Sequence, residues 1–210
     1  MHSLRYIGFS IIAGILFLGG SARAASLGNT TLSAGGYHTC AVQKDSTVQC
    51  WGWNSKGQLG TGTTNPSNVP VAVKGLKNAM AVVAGNAALS CGLVKPAPMK
   101  NVKITGYDVV CWGMNNYGLV RGNGSYNGQS LTPVAIPAIW DYVYKKDAKG
   151  KDVLVKGKKV LIEKIGAEEI AIGGTHVLVR LANGTVKTWG EAWGSPKAYG
   201  ALGRIKNPFN

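Results

Sequence analysis

Acidic side chains and histidine are scarce in this sequence. It contains 9 Asp and Glu against 23 Lys and Arg, for a formal net charge of +14, and only 3 His. Enzymes and metal sites draw their general acids, general bases and ligands mainly from Asp, Glu and His. The sequence also lacks a Gly-x-Ser-x-Gly nucleophile elbow, a phosphate-binding loop, a dinucleotide fingerprint and a paired-His metal motif. It therefore predicts a non-enzyme with no catalytic residue, no metal ligand and no cofactor.

Long hydrophobic runs are absent as well. The apolar run at residues 7–18 has 12 residues, whereas a helix that spans a bilayer needs about 20. Arg5 lies in the short polar start before this run, and the pattern Ala22-Arg23-Ala24, with small residues at its first and third positions, follows it. This order predicts a signal peptide at residues 1–24, whose cleavage leaves a net charge of +12. We therefore expect a secreted or periplasmic protein without a membrane span after cleavage; an uncleaved membrane anchor is the alternative.

Amphipathic helical periodicity is missing from the segments that repeat along the chain. Three imperfect copies of one segment occur, rich in the 30 glycines of the chain. Residues 35–60 read GGYHTCAVQKDSTVQCWGWNSKGQLG, residues 85–122 retain LSCGLV and VVCWGMNNYGLVRG, and residues 173–203 retain GGTHVLVRLANGTVKTWG and YGALG. Short apolar segments separated by glycine-rich turns predict an all-β repeat protein.

The spacing of the Trp-Gly pairs defines the repeat period. Trp51, Trp112 and Trp189 are separated by 61 and 77 residues, and copy two has 10 extra residues between its cysteines, so the underlying period is 51. The second interval then carries about 26 inserted residues, largely between positions 137 and 164. A period near 50 is typical of one four-stranded propeller blade. The predicted repeat domain, residues 25–210, comprises copy one at about 27–76, copy two at about 77–136, a Lys-rich insertion at about 138–164 and a truncated copy three at about 165–210.

These copies resemble the repeat of the regulator of chromosome condensation family. GGYHTCAV, then CWGWNSKGQLG, then VPVAV carry the resemblance, which covers roughly residues 27–136 and 165–204. It implies blades of a seven-bladed propeller, and three copies imply a partial or incomplete propeller of about three four-stranded blades. Some members of the family act in guanine-nucleotide exchange on a small GTPase, and some secreted bacterial members are protein-binding inhibitors. No residue of this chain can be assigned an exchange role from the resemblance.

The four cysteines lie in the first two copies. Alignment of copy three places Leu178 and Thr188 where Cys40 and Cys50 stand in copy one, so both sulfurs are absent together. Their joint loss predicts two disulfides within hairpins, Cys40 with Cys50 and Cys91 with Cys111, while free thiols or a metal site are alternatives. The first pair requires a loop with an odd number of residues, and a three-residue loop with a left-handed third residue fits; that residue is Gly184 in copy three.

Histidine and tryptophan recur at fixed repeat positions. His38 and His176 are equivalent, so we predict a structural hydrogen bond within the blade rather than a ligand or catalytic role. The tryptophans of the Trp-Gly pairs are expected in the core. Trp53 and Trp193 lie outside the repeated pattern and are the candidates for exposure.

The segment between copies two and three is unusually basic. Residues 140–164 contain eight lysines against four acids, and apolar residues alternate around Leu154 and Leu161 with Gly150 and Gly157 at turns. The pattern predicts an inserted β-hairpin or arm, with a solvated loop as the alternative. The candidate polyanion contacts are Lys145, Lys146, Lys149, Lys151, Lys156, Lys158 and Lys159.

The combined interpretation is a secreted or periplasmic non-catalytic binding module that uses propeller loops for protein–protein interaction. The alternative is a cationic binder of nucleic acid or anionic polysaccharide. A fragment of a propeller resembling a guanine-nucleotide exchange factor is less favoured, because an exported chain meets no cytosolic GTPase. Three copies form fewer than half of a seven-bladed ring, so self-association that covers the open blades is expected. A piece of a longer propeller and a small irregular β-assembly are the alternatives.

Overall fold

The computed structural model describes residues 31–86, 88–121 and 128–190 of the chain. The predicted signal peptide at residues 1–24, Trp193 and the end of copy three lie outside the described residues. Within them the strands are β1 Leu32–Ala34, β2 His38–Val42, β3 Val48–Gly52, β4 Ser67–Ala72, β5 Ala79–Ala84, β6 Leu89–Val94, β7 Lys103–Thr105, β8 Asp108–Met114, β9 Gln129–Ala135, β10 Asp141–Tyr144, β11 Leu154–Val155, β12 Lys158–Lys159, β13 Leu161–Ile165, β14 Ala167–Ile172, β15 His176–Leu181 and β16 Val186–Gly190. Two short 3-10 helices span Asn116–Gly118 and Pro137–Ile139.

Each copy of the repeat forms one antiparallel sheet. The strand order is β1-β2-β3-β4 in blade one and β5-β6-β8-β9 in blade two, and blade three contains β14-β15-β16 among the described residues. Period-two burial explains the strands: in β15, Val177, Val179 and Leu181 are buried and the residues between them are half-exposed. The predicted all-β architecture of a partial propeller is confirmed.

The same hairpin register recurs in the three blades. Cys40 faces Cys50, Cys91 faces Cys111, and Leu178 faces Thr188 at the equivalent position of blade three. Beyond the ends of β2 and β3 the N–H of Gln43 donates to the carbonyl oxygen of Thr47, which leaves a loop of three residues, 44–46. Its third residue, Ser46, has φ +62°. Gly184 occupies the same place in blade three with φ +84°. The predicted three-residue loop with a left-handed third residue is therefore present.

Two apolar clusters hold the blades together. The first lies between blades one and two and contains Leu59, Val82 and the fully buried Trp112. The second joins blades two and three around Leu119 and Trp189 and extends to the linker between the blades. Because each cluster takes residues from two blades, the core of the protein lies between sheets rather than within one sheet.

The tryptophans of the Trp-Gly pairs in blades two and three also bond to the preceding blade. The indole N–H of Trp112 donates to the carbonyl oxygen of Gln58 over 2.8 Å, and that of Trp189 donates to the carbonyl oxygen of Leu119 over 2.9 Å. Gln58 and Leu119 occupy equivalent places, four residues after the asparagine that follows each Trp-Gly pair. The same tryptophan-to-carbonyl bond thus joins blade two to blade one and blade three to blade two, at equivalent positions of the repeat.

The two extra segments of the sequence meet in a small additional sheet. Its strand order is β10-β13-β7, with β7 from the ten extra residues of copy two paired in parallel with β13 from the Lys-rich insertion. Trp140 anchors this sheet: it is buried, and its indole N–H donates to Asp108 over 2.9 Å. The ammonium of Lys164 lies 3.7 Å from the centre of the Trp140 ring. The base of the insertion is therefore packed against blade two.

Beyond this base the insertion forms a three-way β junction. The N–H of Lys145 donates to the carbonyl oxygen of Val160 over 2.8 Å, and the N–H of Val160 donates to that of Val153 over 3.1 Å. The N–H of Val153 in turn donates to the carbonyl oxygen of Lys145 over 2.9 Å. Two short ribbons leave the junction, and they turn at Gly150 and Gly157, whose φ angles are +78° and +75°. We call residues 145–160 the Lys arm. None of the described helices is long and apolar enough to cross a bilayer.

Candidate functional site

Two exposed aromatic side chains stand together at one end of blade one. Tyr37 precedes β2 and is 73% exposed, and Trp53 follows β3 and is 45% exposed. Their ring centres lie 5.6 Å apart at an interplanar angle of 80°, an edge-to-face contact. Two large rings thus remain in water although the core of blade one is close by.

The backbone holds this aromatic pair in a defined position. The N–H of Trp53 donates to the carbonyl oxygen of Tyr37 over 2.8 Å. Gly52, the last residue of β3, has φ +108°, and a Cβ there would lie 2.5 Å from the same carbonyl oxygen. Only glycine permits this close approach, so the Trp-Gly motif fixes the distance between the two aromatic residues.

The other blades keep this backbone geometry without the aromatic rings. In blade two the corresponding bond joins the N–H of Met114 to the carbonyl oxygen of Ala88 over 3.0 Å. In blade three the residue before β15 is Thr175. Because blades two and three form without aromatic residues at these places, blade packing does not require Tyr37 or Trp53.

Shallow depressions flank the pair. One of about 470 Å³ is lined by Tyr37 and Trp53, and a second of about 490 Å³ is lined by Gly52 and residues 66–68. The surface offers rigid aromatic area and backbone polar groups. Such an arrangement suits contact with another macromolecule, because Tyr and Trp supply large contact area at a small cost in side-chain entropy.

His38 is a buried structural group. Its Nε2 lies 2.8 Å from the hydroxyl of Ser90, which itself donates to the carbonyl oxygen of Gln58 over 2.8 Å. Burial lowers the pKa of His38 from 6.5 to about 4, so the ring is neutral near pH 7. The bond joins blade one to blade two, which corrects the prediction of a bond within one blade. His176 is half-buried and has no side-chain hydrogen bond with another described residue.

The lowered pKa of His38 predicts acid sensitivity. Between pH 6.5 and about 4 the unfolded chain binds a proton at this residue and the folded chain does not, so the free energy of unfolding should fall as the pH falls. The loss should reach about 3 kcal/mol across this window, and above pH 6.5 the residue should contribute no pH dependence. Urea unfolding at a series of pH values measures the effect.

The matched variants for this prediction are His38→Gln and His176→Gln. Glutamine at position 38 does not titrate, so His38→Gln should flatten the stability profile between pH 6.5 and 4. His176→Gln should retain the slope of the wild type. An unchanged profile in His38→Gln would assign the acid sensitivity to other groups.

The cysteine pairs predicted from the sequence lie at bonding distance. The sulfur atoms are 2.10 Å apart in Cys40 and Cys50 and 2.06 Å apart in Cys91 and Cys111. All four side chains are fully buried. Within the described residues no group of three or more His, Cys, Asp and Glu is placed to hold a metal ion.

The seven candidate lysines all lie exposed on the Lys arm. Lys146 and Lys159 pair with Asp152, the latter over 2.7 Å. Their hydrogen bonds lower the pKa of Asp152, and the bond to Asp152 raises the pKa of Lys159. The remaining five form no ion pair with another described residue: Lys145, Lys149, Lys151, Lys156 and Lys158. The arm is thus a second surface, separate from the aromatic pair.

Sequence reasoning identified Trp53 as a candidate for exposure but missed Tyr37. The available signal was comparison of the copies, because the turn before the second strand carries an aromatic residue in copy one and Ala88 or Thr175 in the others. Repeat position alone therefore separates residues that the blade needs from residues that are particular to one blade.

Comparisons with known proteins agree with the repeat architecture. Two family models, both described as the regulator of chromosome condensation (RCC1) repeat, match residues 45–88 and 30–58. The probable E3 ubiquitin-protein ligase HERC6 of Homo sapiens is 29% identical over 163 residues, which are 76% of this chain and 13% of that protein.

Solved yeast structures share the fold. The structure of yeast RCC1 (Prp20) bound by Kap60 has a TM-score of 0.51 and 17% identity, over 77% of this chain and 29% of that chain. Prp20p from Saccharomyces cerevisiae has a TM-score of 0.50 and 22% identity, over 82% of this chain and 33% of that chain. The chain thus spans about a third or less of the length of these relatives. Repeat motifs, blade register and family matches together show that residues 30–88 carry the regulator of chromosome condensation repeat and that the described blades have the corresponding propeller fold.

Proposed function

We propose that this chain is a protein-binding module and that its contact surface is the aromatic pair at the end of blade one. The observation that carries the proposal is the exposure of Tyr37 and Trp53, 73% and 45%, at places where the other blades have no aromatic residue. Tyr and Trp are the residue types that most often dominate the binding energy of protein interfaces. Their edge-to-face contact already restricts the two side chains, so binding a partner costs them little further conformational entropy.

The yeast relatives support a protein as the class of partner. One structure is described as bound to Kap60, and the other is described with binding properties toward Gsp1p and histones. Their likeness to this chain, at 17% and 22% identity, shows the fold. The choice of a protein partner for this chain therefore rests on the aromatic pair, with the relatives as support.

We further propose that the module is non-catalytic and works in the secreted or periplasmic space. The predicted signal at residues 1–24 supports export, and two buried cysteine pairs at bonding distance are compatible with an oxidising compartment. A fragment of an exchange-factor propeller remains the less favoured alternative, because an exported chain does not meet a cytosolic GTPase.

Self-association belongs to the proposal as well. Trp112 and Trp189 bond to the loop of the preceding blade, whereas Trp51, the equivalent residue of blade one, is half-buried and has no side-chain hydrogen bond with another described residue. The face of blade one that carries Trp51 is therefore equivalent to the faces of blades two and three that pack against a preceding blade. Sedimentation of residues 25–210 would distinguish a monomer from an assembly.

Truncation of either member of the aromatic pair should weaken partner binding. Immobilised protein would be incubated with a periplasmic extract or culture medium, and the dissociation constant of each captured protein would then be measured. Tyr37→Ala and Trp53→Ala should each weaken binding about thirtyfold, because hot-spot residues cost about 2 kcal/mol or more when truncated. Added salt should have little effect, since the contact is not ionic.

Tyr142→Ala is the matched control, because Tyr142 is 44% exposed and lies outside blade one. It should leave the dissociation constant unchanged. A captured protein that binds the Tyr37→Ala/Trp53→Ala variant as tightly as the wild type would refute the aromatic pair as the contact surface. Release of the partner by moderate salt would favour the cationic surface instead.

A further inference from the structure

The Lys arm projects from the body of the protein without contributing to its core. The sheet β10-β13-β7 holds its base, and both apolar clusters are built entirely from residues outside positions 145–160. Its two ribbons are joined by the hydrogen bonds of the three-way junction and by the ion pair of Asp152 with Lys159. The side chains of the arm are therefore not explained by packing.

Two aliphatic side chains are exposed near the tip of the second ribbon. Leu154 is 55% exposed and Val155 is 60% exposed. Leu154 is paired with Lys159 and Val155 with Lys158 across the ribbon. Opposed residues share a face and successive residues alternate, so each face of the ribbon carries one aliphatic and one cationic side chain. The tip is amphipathic on both faces.

The charge of the arm is strongly one-sided. Residues 145–160 contain seven lysines and two aspartates, a net charge of +5. Asp147 shapes the first turn, because its carboxylate accepts the backbone N–H groups of Lys149 and Lys151 over 2.9 and 3.0 Å. Asp152 is shared by Lys146 and Lys159. Both aspartates thus form bonds within the arm that fix its conformation. The other five lysines extend into water without an acidic partner among the described residues.

We propose that the Lys arm docks on the surface of an anionic lipid bilayer. Leu154 and Val155 enter the interface between headgroups and acyl chains, while the lysines contact lipid phosphates and keep their ammonium groups in water. A soluble polyanion would satisfy the lysines but would leave both aliphatic side chains exposed. The pairing of aliphatic and cationic residues on one ribbon therefore favours a bilayer over nucleic acid or polysaccharide. This surface is separate from the aromatic pair and does not depend on the protein partner.

Vesicle binding tests the proposal. Residues 25–210 would be sedimented with vesicles of phosphatidylcholine alone or of phosphatidylcholine mixed with phosphatidylglycerol, and titrated in parallel with heparin as a soluble polyanion. The wild type should bind the anionic vesicles, should not bind phosphatidylcholine vesicles, and should lose affinity as salt is added. The variant Leu154→Ser/Val155→Ser keeps all seven lysines and should bind anionic vesicles about tenfold or more weakly, with unchanged heparin affinity.

Two further variants complete the design. Val69→Ser/Val186→Ser alters valines of similar exposure, 58% and 57%, on blades one and three and should leave vesicle binding unchanged. Lys156→Gln/Lys158→Gln should lower vesicle affinity about tenfold or more, because each lysine near an anionic surface contributes about a fivefold change. Urea unfolding should show the same stability for both arm variants as for the wild type, since the arm packs against no core residue.

Three results would overturn the proposal. Heparin binding by the wild type without vesicle binding would make the arm a site for soluble polyanions. Vesicle binding that is unchanged in Leu154→Ser/Val155→Ser would show that the aliphatic side chains do not contribute and that the attraction is only electrostatic. Absence of binding to both probes would make the arm a solvated extension.

Discussion

Replacement of all four cysteines by alanine should remove most of the folding free energy of the chain. The two bonds close short loops, with sequence separations of 10 and 20 residues. In the chain-entropy model each such loop contributes about 3 kcal/mol, so the loss should be roughly 6 kcal/mol, comparable to the whole stability of many domains. The measurement is urea unfolding of the oxidised protein, the variants Cys40→Ala/Cys50→Ala and Cys91→Ala/Cys111→Ala, and the variant with all four changes.

Copy three provides the internal control for this result. Leu178 and Thr188 face each other at the register of the cysteine pairs, so a blade can form there without a sulfur–sulfur bond. Reduction of the wild type should therefore lower its stability to that of the fourfold variant without loss of the β-sheet signal at low urea. Peptide mapping without reduction should join Cys40 to Cys50 and Cys91 to Cys111. A bond between Cys50 and Cys91 would contradict the hairpin register.

The blades were predictable from the sequence because the residues that pair in each hairpin are close in the chain and recur in every copy. The three-residue loop that ends at Ser46, and its counterpart at Gly184, follow from the spacing of residues that face each other in one hairpin. Each copy also serves as a check on the others. A wrong register in one hairpin would have misaligned the cysteine pair of copy one with the Leu178 and Thr188 pair of copy three.

The additional sheet was not predictable because its contacts are non-local and occur once. β7 and β13 come from different insertions, and Lys103 faces Glu163 across sixty positions of the chain. Neither segment repeats, so no second copy indicates the pairing. The sequence predicted an arm between the blades, but the burial of Trp140 and the bond to Asp108 depend on how two insertions meet.

The candidate site shows the same division. The exposed position of Trp53 followed from its place outside the repeated pattern, and the lysines of the arm followed from composition. The contact of His38 with Ser90 did not, because its partner depends on the rotation of one blade against the next. The same holds for Asp152, which lies between Lys146 and Lys159 only because the chain turns at a three-way junction.

Trp112→Ala should destabilise the protein and allow blade one and blade two to unfold separately. The side chain is fully buried in the cluster between these blades, and its indole N–H donates to the carbonyl oxygen of Gln58 over 2.8 Å. Truncation of a buried tryptophan costs about 3–5 kcal/mol, because apolar burial is lost and a cavity remains. Urea unfolding followed by circular dichroism and by the fluorescence of the remaining tryptophans would measure this loss.

The comparison of three variants separates core packing from the inter-blade bond. Trp112→Phe keeps most of the apolar volume and loses the N–H donor, so it should cost about 1–2 kcal/mol. Ser90 still donates to the carbonyl oxygen of Gln58 in that variant, so this acceptor is not left unpaired. Trp53→Ala removes a tryptophan that is 45% exposed and should cost less than about 1 kcal/mol. Equal losses in Trp53→Ala and Trp112→Ala would contradict the assignment of one to the contact surface and the other to the core. Non-coincident unfolding transitions in Trp112→Ala alone would show that this residue makes the blades unfold as one unit.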